Sequence, residues 1–424
     1  MPATHVNSYY AATANDDTRY PALRGTETAD VCVVGGGFSG IATALSLAER
    51  GYQVAVLEAE RVGWGASGRN GGQMIAGISG ELRLESQLGE AGRRLLADIR
   101  YLGNDIIEGR VTRYEIECDL KRGWMEVAAR PRHMAAMRAY VDERRAAGDG
   151  DTLEIVEPGD MPRVIGTSLY HGAMLDRRSG HLHPLNLCLG EARAAAGLGV
   201  RIFEESPVAE VVGGDRPFAA TAAGRVEARS IVLAGMTDPR FQTGPLRGLL
   251  FPTGSYIVAT APLPEHVASE ISPEDLAVAD SNVVLDYFRL SADRRLLFGG
   301  RCNYSNRDPR DIRATLRPRL VEVFPQLDGV ALDYAWGGKI DIVLTRVPAI
   351  GRREPNVYYM QGYCGHGVNA THIAAEIVAD AIAGTMERFD LFERIRHIRL
   401  PVGQFLGNQM LALGMLYYRL RDLL

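Results

Sequence analysis

Three side chains that could do chemistry lie close together near the end of the sequence, in the stretch MQGYCGHGVNATH at 360–372. Cys364, His366 and His372 supply a thiol and two imidazoles, the groups that bind zinc or form a cysteine–histidine dyad. The stretch also holds three glycines, so it fits a turn that depends on its glycines. The stretch alone leaves a metal site, a dyad and a glycine turn open.

A second pattern stands near the start of the chain, where Gly35, Gly37 and Gly40 form G-x-G-x-x-G. An apolar run at 31–34 precedes it, helical spacing of apolar residues follows, and a second apolar run ends at Glu58. In a strand–turn–helix unit, these glycines permit the tight turn, the approach of a pyrophosphate and close helix–strand packing. The helix N-terminus then faces the phosphates and the glutamate accepts from ribose hydroxyls. The pattern predicts a dinucleotide site without choosing between FAD and NAD.

The segment from Arg61 to Gln73, RVGWGASGRNGGQ, is a second glycine-dense turn directly after the predicted ribose-binding acid. Its hydroxyl, guanidinium and amide donors suit a pyrophosphate and a ring system beyond it. A solvated loop is the alternative, because short polar loops are usually at the surface.

Further along the chain, the spacing of apolar residues predicts two kinds of β-strand. Apolar runs at 230–235 and 357–360 end in or before glycine, as parallel strands do at the ligand-binding edge of a sheet. Alternating patterns at 255–260 and 295–300 indicate antiparallel strands. We therefore expect an α/β protein: a Rossmann-like nucleotide domain assembled from separated segments, with an inserted, mainly antiparallel α+β substrate domain. The predicted segments are 1–82, 176–240 and 338–424 for the nucleotide domain and 83–175 and 241–337 for the substrate domain.

Composition places the chain among ordinary globular proteins: 424 residues, 46% hydrophobic and 23% charged. The net charge of −5 comes without a basic stripe, so nucleic acid is not an expected partner. The five cysteines are far apart, with no CxxC pair, and the N-terminus lacks a basic region followed by an apolar run. These features favour a cytoplasmic protein.

The run from residue 30 to Gln73 resembles the D-amino acid oxidase-like (DAO) family of FAD-dependent amine and amino acid oxidoreductases. Stretches similar to the family follow in its order: SYYAATAN at 8–15, SGHLHPLNL at 179–187, LDYFRLSADRRLLFGG at 285–300 and YYMQGYCGHGV at 358–368. The resemblance implies one FAD per chain at the domain interface. The FAD is expected to be non-covalent, because the cysteine or histidine contexts of covalently flavinylated members are absent.

The resemblance extends the cofactor site to the later glycine turns and to a strand residue beside the adenine. The predicted cofactor-binding residues are Gly35, Gly37, Phe38, Ser39, Gly40, Glu58, Ala59, Arg61, Ala66, Ser67, Gly68, Asn70, Gly71, Gly72, Gln73, Val208, Ala234, Gly235, Gly337, Gly362, Gly365, His366, Gly367 and Val368.

With a flavin in place, 360–372 is interpreted as a strand ending at Met360, a glycine turn, and a helix that starts near Asn369 or Thr371 with one of them as N-cap. The glycines would let backbone N–H groups approach the flavin. The metal interpretation becomes minor, so no metal is expected. His366 keeps a possible contact with flavin or substrate, while Cys364 becomes a packing residue.

The predicted substrate-side residues are Tyr256, Tyr287, Arg289, Trp336, Lys339 and His366. In LDYFRLS, strand alternation puts Tyr287 and Arg289 on one face, opposite Phe288. An aromatic ring and a cation on one face suit an aliphatic amine with a carboxylate at its far end. The alternatives are a core tyrosine, an arginine paired with a surface acid, and a solvated lysine at Lys339.

Two further patterns favour structural roles. His181 and His183 would share a strand face as a metal pair does, but supporting acids are missing at nearby spacing, so structural histidines are favoured. An apolar stripe at helical spacing, which could lie on a membrane, runs along 405–420 and is expected to dock on the protein's own core. Its members are Leu406, Met410, Leu413, Tyr417 and Leu420.

The resemblance therefore implies FAD-dependent oxidation of a primary amine, in particular of a gamma-glutamylated polyamine such as gamma-glutamylputrescine, to aldehyde and ammonia. Oxygen or another carrier would accept the electrons. The alternatives are an amino acid oxidase or dehydrogenase of the same fold, acting on a D-amino acid, glycine or a sarcosine-like substrate, and a nucleotide-binding regulator without flavin chemistry. The oligomeric state stays open.

Overall fold

Two β-sheets organise the chain in the computed structural model, which describes residues 4–235, 241, 243–282, 284–304, 307–400 and 406–414. The helices are α1 (Tyr9–Ala12), α2 (Phe38–Glu49), α3 (Glu81–Leu88), α4 (Glu90–Ile99), α5 (Leu102–Arg113), α6 (Pro131–Ala146), α7 (Pro184–Gly197), α8 (Glu265–Ile271), α9 (Ile312–Val323), α10 (Gly367–Ile382) and α11 (Glu387–Glu393). The strands are β1 (Gly25–Val34), β2 (Val54–Leu57), β3 (Gln73–Met74), β4 (Lys121–Val127), β5 (Leu153–Val156), β6 (Ala173–His181), β7 (Arg201–Phe203), β8 (Val208–Val212), β9 (Phe218–Thr221), β10 (Gly224–Leu233), β11 (Phe251–Thr260), β12 (Ala277–Asp280), β13 (Tyr287–Leu290), β14 (Leu296–Asn303), β15 (Leu332–Ile342), β16 (Ala349–Glu354) and β17 (Val357–Gln361).

The first sheet has the order β16-β17-β10-β1-β2-β7, with β8 and β9 attached to β10. β1 lies parallel to β10 and to β2, β10 parallel to β17, and β2 parallel to β7. Residues 31–34 and 54–57 are buried along their whole length, as expected for strands covered on both faces. The carboxyl ends of these parallel strands meet at one edge, where ligands bind in open α/β sheets.

The second sheet has the order β15-β11-β14-β13-β12-β4-β6-β3, with β5 beside β6. Its pairings are antiparallel except for β12 with β4. One face packs on α9 through a cluster that contains Tyr256, Phe288 and Phe298. The opposite face contributes Ile257, Leu297 and Trp336 to the core of the first sheet's helices. The mainly antiparallel second unit is thus confirmed, and this inner face covers the nucleotide unit.

The predicted domain boundaries stay a prediction, although the strands of the second sheet extend beyond them. β6 continues to His181 and β15 to Ile342, past the predicted ends at 175 and 337. The short β3 also pairs with this sheet through Gln73 and Met74.

Two local predictions are wrong. Helix α10 begins at Gly367, so Asn369 and Thr371 lie inside it and neither is the N-cap. The apolar stripe near the C-terminus is not docked inward either: in the helical segment 406–414, Leu406, Met410 and Leu413 are 52%, 47% and 71% exposed. The other members of that stripe, Tyr417 and Leu420, lie outside the described residues.

Candidate active site

The fingerprint turn is built so that the start of α2 almost touches the end of β1. Gly35 has φ +113°, and a β-carbon on Gly40 would lie 1.8 Å from the carbonyl oxygen of Gly35. A β-carbon on Gly37 would lie 2.8 Å from the hydroxyl oxygen of Ser67. Because these positions leave no room for side chains, the turn presents bare peptides at the N-terminus of α2, which suits a pyrophosphate.

Glu58 closes β2 directly beside this turn. Its carboxylate accepts hydrogen bonds from the N–H groups of Gly36, at 2.5 Å, and Glu60, at 2.9 Å. Burial raises the pKa of Glu58, and these two backbone donors act in the opposite direction. The neighbouring Ala59 is exposed. The acid is therefore fixed directly beside the fingerprint turn, and its role as a ribose acceptor stays a prediction.

The second glycine-dense loop folds back onto the first. The backbone N–H of Phe38, the first residue of α2, donates to the Ser67 hydroxyl at 2.8 Å. The Asn70 amide donates to the carbonyls of Ala66 and Ser67 at 3.1 and 2.8 Å, and its oxygen accepts from the Gly72 N–H at 2.8 Å. Residues 66–72 are thus an ordered part of the fingerprint, and the solvated-loop alternative does not hold.

Two residues of this region have side chains committed elsewhere. The Arg61 guanidinium is buried, paired with Glu204 at 3.0 Å and bonded to the carbonyl of Thr18 at 2.8 Å. The Gln73 amide bridges the Trp124 indole and the carbonyl of Val278. Their side chains hold the loop in place, so only their backbone is left for the cofactor that the sequence predicts them to bind.

The strand-end turn of β10 lies against the fingerprint. A β-carbon on Gly35 would lie 2.9 Å from the Gly235 nitrogen and 3.0 Å from the Ala234 carbonyl. Val208 begins β8, is buried, and pairs with Thr221. The structure therefore brings Ala234 and Gly235 to the predicted site and places Val208 on the neighbouring attached strands.

The stretch 360–372, which carries Cys364, His366 and His372, contains the turn between β17 and α10. Gly362 and Gly365 have φ of +78° and +89°, and His366 is the N-cap of α10. The hydroxyl of Ser39, in the first turn of α2, donates to the Tyr363 hydroxyl at 2.9 Å. Gly367 and Val368 are the first two residues of α10. The N-termini of α2 and α10 thus lie side by side.

The three reactive side chains of this motif point in different directions. The Cys364 sulfur lies in the core, 3.4 Å from the Val343 nitrogen, and burial raises the pKa of its thiol while the charge of Arg346 lowers it. The His366 ring lies 3.1 Å from the Ala76 carbonyl, and burial lowers its pKa. His372 lies 3.1 Å from Glu191 in a buried cluster. Among the described residues, no three His, Cys, Asp or Glu side chains are grouped to hold a metal ion.

The inner face of the second sheet covers both glycine loops. A β-carbon on Gly71 would lie 2.8 Å from the Tyr287 ring, whose hydroxyl is 3.0 Å from that of Ser255. The Trp336 indole donates to the Arg69 carbonyl at 2.9 Å. At the other loop, a β-carbon on Gly365 would lie 3.4 Å from the Ile340 side chain. Tyr287, Trp336 and Ile340 therefore form an aromatic and apolar surface over the loops.

Arg289 does not face this space. Its guanidinium is 2% exposed and donates to the carbonyls of Gly71, Leu182 and Leu290 and to the hydroxyl of Tyr10. The arginine therefore holds the Gly71 peptide in place, and the sequence-based alternative of a surface ion pair is also wrong.

Three other predicted residues lie on the outer face of the sheet. Tyr256 is in the core with Phe288, and its hydroxyl donates to Asp308 at 2.8 Å. A β-carbon on Gly337 would meet the Tyr256 ring at 3.0 Å, and Lys339 is exposed two residues further along the same face of β15. Gly338, one position away, approaches the Arg69 side chain instead. The alternation of β15 thus turns Gly337 and Lys339 away from the glycine loops.

The histidine pair is structural. His181 bonds the Asp275 carbonyl at 2.7 Å, and His183 caps α7 by accepting from the Asn186 N–H at 3.1 Å. Burial lowers the pKa of each to about 3, helped by the charge of Arg289.

Sequence reasoning missed two polar residues near the loops. Ser255 meets Tyr287, and its place in an alternating strand could have suggested this. Arg346 is exposed, with φ +63°, and its charge lowers the pKa of His366, Cys302 and Cys364 beside the larger effects of burial. No local pattern marks Arg346, because its neighbours come from distant segments.

Comparison with known proteins defines the class. The chain belongs to the family of FAD dependent oxidoreductases called DAO, whose family model matches residues 30–381. The predicted family, FAD-binding fold and oxidoreductase class are therefore confirmed, as is FAD as the cofactor. The site fits this cofactor: a fixed acid at the end of β2, glycine peptides without room for side chains, and two adjacent helix N-termini.

Individual relatives match this chain over most of its length. It is 40% identical over 420 residues to gamma-glutamylputrescine oxidoreductase of Escherichia coli (strain K12), which covers 99% of this chain and 98% of the relative. It is 38% identical to the probable oxidoreductase OrdL of Haemophilus influenzae (strain ATCC 51907 / DSM 11121 / KW20 / Rd), covering 99% and 97%. Glycine oxidase from Geobacillus kaustophilus superposes with a TM-score of 0.70 at 23% identity, covering 88% of this chain and 100% of that structure. The last similarity concerns the fold.

Proposed function

We propose that this protein oxidises the primary amine of gamma-glutamylputrescine, or of a related gamma-glutamylated polyamine, to an imine, which water then hydrolyses to an aldehyde and ammonia. The observation that carries this proposal is the 40% identity over 99% of the chain to a gamma-glutamylputrescine oxidoreductase. The glycine oxidase similarity is only 23% identical, so it supports the amino acid alternative less well.

The covering surface suits a neutral amine. Tyr287, Trp336 and Ile340 lie over the glycine loops and offer no carboxylate that would stabilise an ammonium ion. An apolar environment lowers the pKa of an amine, and the free lone pair is what drives oxidation at the neighbouring carbon. FAD, when bound, supplies the acceptor for the hydride that leaves this carbon. The chain's own part is to orient that carbon and to exclude water until the hydride has left.

The cations near the site favour a remote carboxylate over an α-carboxylate. Arg289 is buried and bonded to carbonyls, and Lys339 lies on the outer face of β15. Arg346 is exposed beside His366 and Cys302 and forms no ion pair within the described part of the chain. The glutamyl end of the substrate carries a carboxylate several bonds from the reacting amine. Arg346 is the group that we assign to it.

We also propose that the FAD is held without a covalent bond by the predicted cofactor residues, with Arg61 and Gln73 contributing through their backbone. Burial raises the pKa of Cys364, and its sulfur is enclosed between the Val343 N–H and the Gly362 carbonyl. The thiolate that a covalent flavin link would need is therefore disfavoured. Denaturing the protein with acid should release all of the yellow chromophore into the supernatant.

Ammonia release from a panel of amines tests the proposed activity. Gamma-glutamylputrescine should turn over with a kcat/KM at least about tenfold above those of putrescine, glycine and D-alanine, since its carboxylate adds a charged contact. If glycine or D-alanine is the best substrate, the protein is an amino acid oxidase of the same fold.

A further inference from the structure

A helical segment at 406–414 carries an apolar face that the described protein does not cover. Six large apolar side chains are strongly exposed in the described residues, and four of them fall between positions 398 and 413. These four are Ile398, Leu406, Met410 and Leu413, with exposures of 47%, 52%, 47% and 71%. Such clustering marks a docking surface rather than scattered surface residues.

The segment cannot turn this face inward, because its opposite face is already anchored. The Asn408 amide is 2% exposed and donates to the carbonyls of Pro252 and Tyr304 at 2.6 and 2.9 Å. A β-carbon on Gly407 would lie 2.2 Å from the Phe251 ring. Leu406, Met410 and Leu413 follow at helical spacing on the outer side.

Basic groups flank the apolar face. Arg394, Arg396 and Arg399 are exposed and pair with no acid in the part of the chain that the structure describes. Leu400 donates its N–H to the Gly248 carbonyl at 2.9 Å, so this basic stretch ends beside the turn that leads into β11, the strand whose Pro252 carbonyl anchors Asn408. These three arginines fall within residues 394–399 although the net charge of the chain is −5.

We propose that this surface binds peripherally to an anionic lipid bilayer, with Leu406, Met410 and Leu413 entering the headgroup region and the arginines contacting lipid phosphates. An amphipathic helix with basic flanks is the usual form of an interfacial anchor. A second copy of the chain fits less well, because a two-fold contact through the same patch brings like-charged arginines together. The proposal is independent of the substrate and concerns where the enzyme works.

Vesicle sedimentation of the purified flavoprotein tests the proposal. Vesicles of phosphatidylcholine with one-third phosphatidylglycerol should carry the protein down, pure phosphatidylcholine should carry down less, and salt should weaken binding. The variant L406Q/M410Q/L413Q should lower the partition coefficient by at least about tenfold. The variant R394Q/R396Q/R399Q should remove the preference for anionic lipid.

The matched control is L198Q, which replaces an exposed leucine at the end of α7, with an exposure of 44%. It should bind as the parent does, and all variants should keep their flavin absorbance. Equal binding of the parent and the triple leucine–methionine variant would overturn the proposal, as would no binding to either vesicle. If the parent instead dimerises in solution and that variant is monomeric, the partner is a second copy.

Discussion

The hydroxyl of Ser39 donates a 2.9 Å hydrogen bond to the hydroxyl of Tyr363, 324 positions further along the chain. Ser39 lies in the first turn of α2 and Tyr363 in the turn that leads into α10. This contact therefore joins the two helix N-termini to which we assign the phosphates and the flavin. The cofactor site depends on segments from opposite ends of the sequence.

Replacing Tyr363 with Phe should weaken FAD binding without unfolding the protein. The substitution removes one hydrogen bond with a net value of about 0.5–1.5 kcal/mol, which corresponds to roughly 2- to 12-fold in Kd. Titration of the apoprotein with FAD, followed by flavin fluorescence, measures this change. Tyr114→Phe is the control, because that hydroxyl bonds Glu49 at the protein surface. An unchanged Kd for Tyr363→Phe would show that the Ser39–Tyr363 hydrogen bond does not support FAD binding.

Gly40→Ala should abolish stable flavin binding. The new β-carbon would lie 1.8 Å from the Gly35 carbonyl oxygen, so the turn and the helix must separate. We expect the FAD affinity to fall by at least about 100-fold, or roughly 2.7 kcal/mol. Gly109→Ala in α5 is the control, because its β-carbon meets open space. Normal flavin content in purified Gly40→Ala would contradict the assigned geometry.

The nucleotide unit was predictable because its signals are local. Strand, turn, helix and terminal acid follow one another within residues 31–58, and each glycine has its own steric reason. The substrate side was not predictable to the same degree. Arg289 is held by carbonyls at Gly71 and Leu182, which no local pattern connects to it.

Other predictions failed because a shift of one residue changes which face of a strand, or which position of a helix, a residue occupies. Gly337 and Gly338 point to opposite faces of β15, and only the pairing with β11 determines which of them meets the Arg69 side chain. The sequence pattern predicts too late a start for α10, because Asn369 is a good N-cap by residue type. In the structure its amide instead reaches the Gly77 carbonyl at 3.1 Å from within the helix.

Arg289→Lys should destabilise the protein more than it changes substrate affinity. The planar guanidinium of Arg289 donates to four separate acceptors, which a lysine ammonium cannot all reach. At least two charge-assisted hydrogen bonds are therefore lost, at roughly 1.5 kcal/mol each. Urea unfolding should show a loss of about 3 kcal/mol, with lower flavin content. The exposed Arg83→Lys provides the control. A raised KM with an unchanged free energy of unfolding would instead show that Arg289 contacts the substrate.

His183 should make the protein less stable in mild acid. Burial lowers its pKa to about 3, from an ordinary 6.5. Below pH 6.5, His183 is therefore protonated in the unfolded chain but stays neutral in the folded chain. The free energy of unfolding is therefore highest above pH 6.5 and decreases as the pH falls toward 3, with a loss of about 2 kcal/mol at pH 5.

His183→Asn keeps an N-cap for α7 but cannot titrate. The loss of unfolding free energy between pH 7 and pH 5 should shrink by about 2 kcal/mol in this variant. It should not vanish, because burial lowers the pKa of His181 to about 3 as well. The exposed His266→Asn is the control. A slope equal to that of the parent would show that His183 titrates normally in the folded protein.

Arg346→Gln should raise the KM for gamma-glutamylputrescine by roughly 10- to 150-fold, the value of one charge-assisted contact, with kcat within about twofold. The KM for putrescine, which has no carboxylate, should not change. Lys339→Gln is the matched control, because Lys339 is exposed on the outer face of β15. If Arg346→Gln affects both substrates equally, the arginine acts on the loops and not on the glutamyl group.

We propose above all that a gamma-glutamylated amine delivers electrons to the bound flavin. The most direct measurement is anaerobic stopped-flow absorbance near 450 nm after mixing the purified flavoprotein with gamma-glutamylputrescine, compared with glycine, D-alanine and putrescine. We predict saturable bleaching that is fastest at low concentration for gamma-glutamylputrescine. A flavin that bleaches with an amino acid and stays oxidised with gamma-glutamylputrescine would contradict the proposed function.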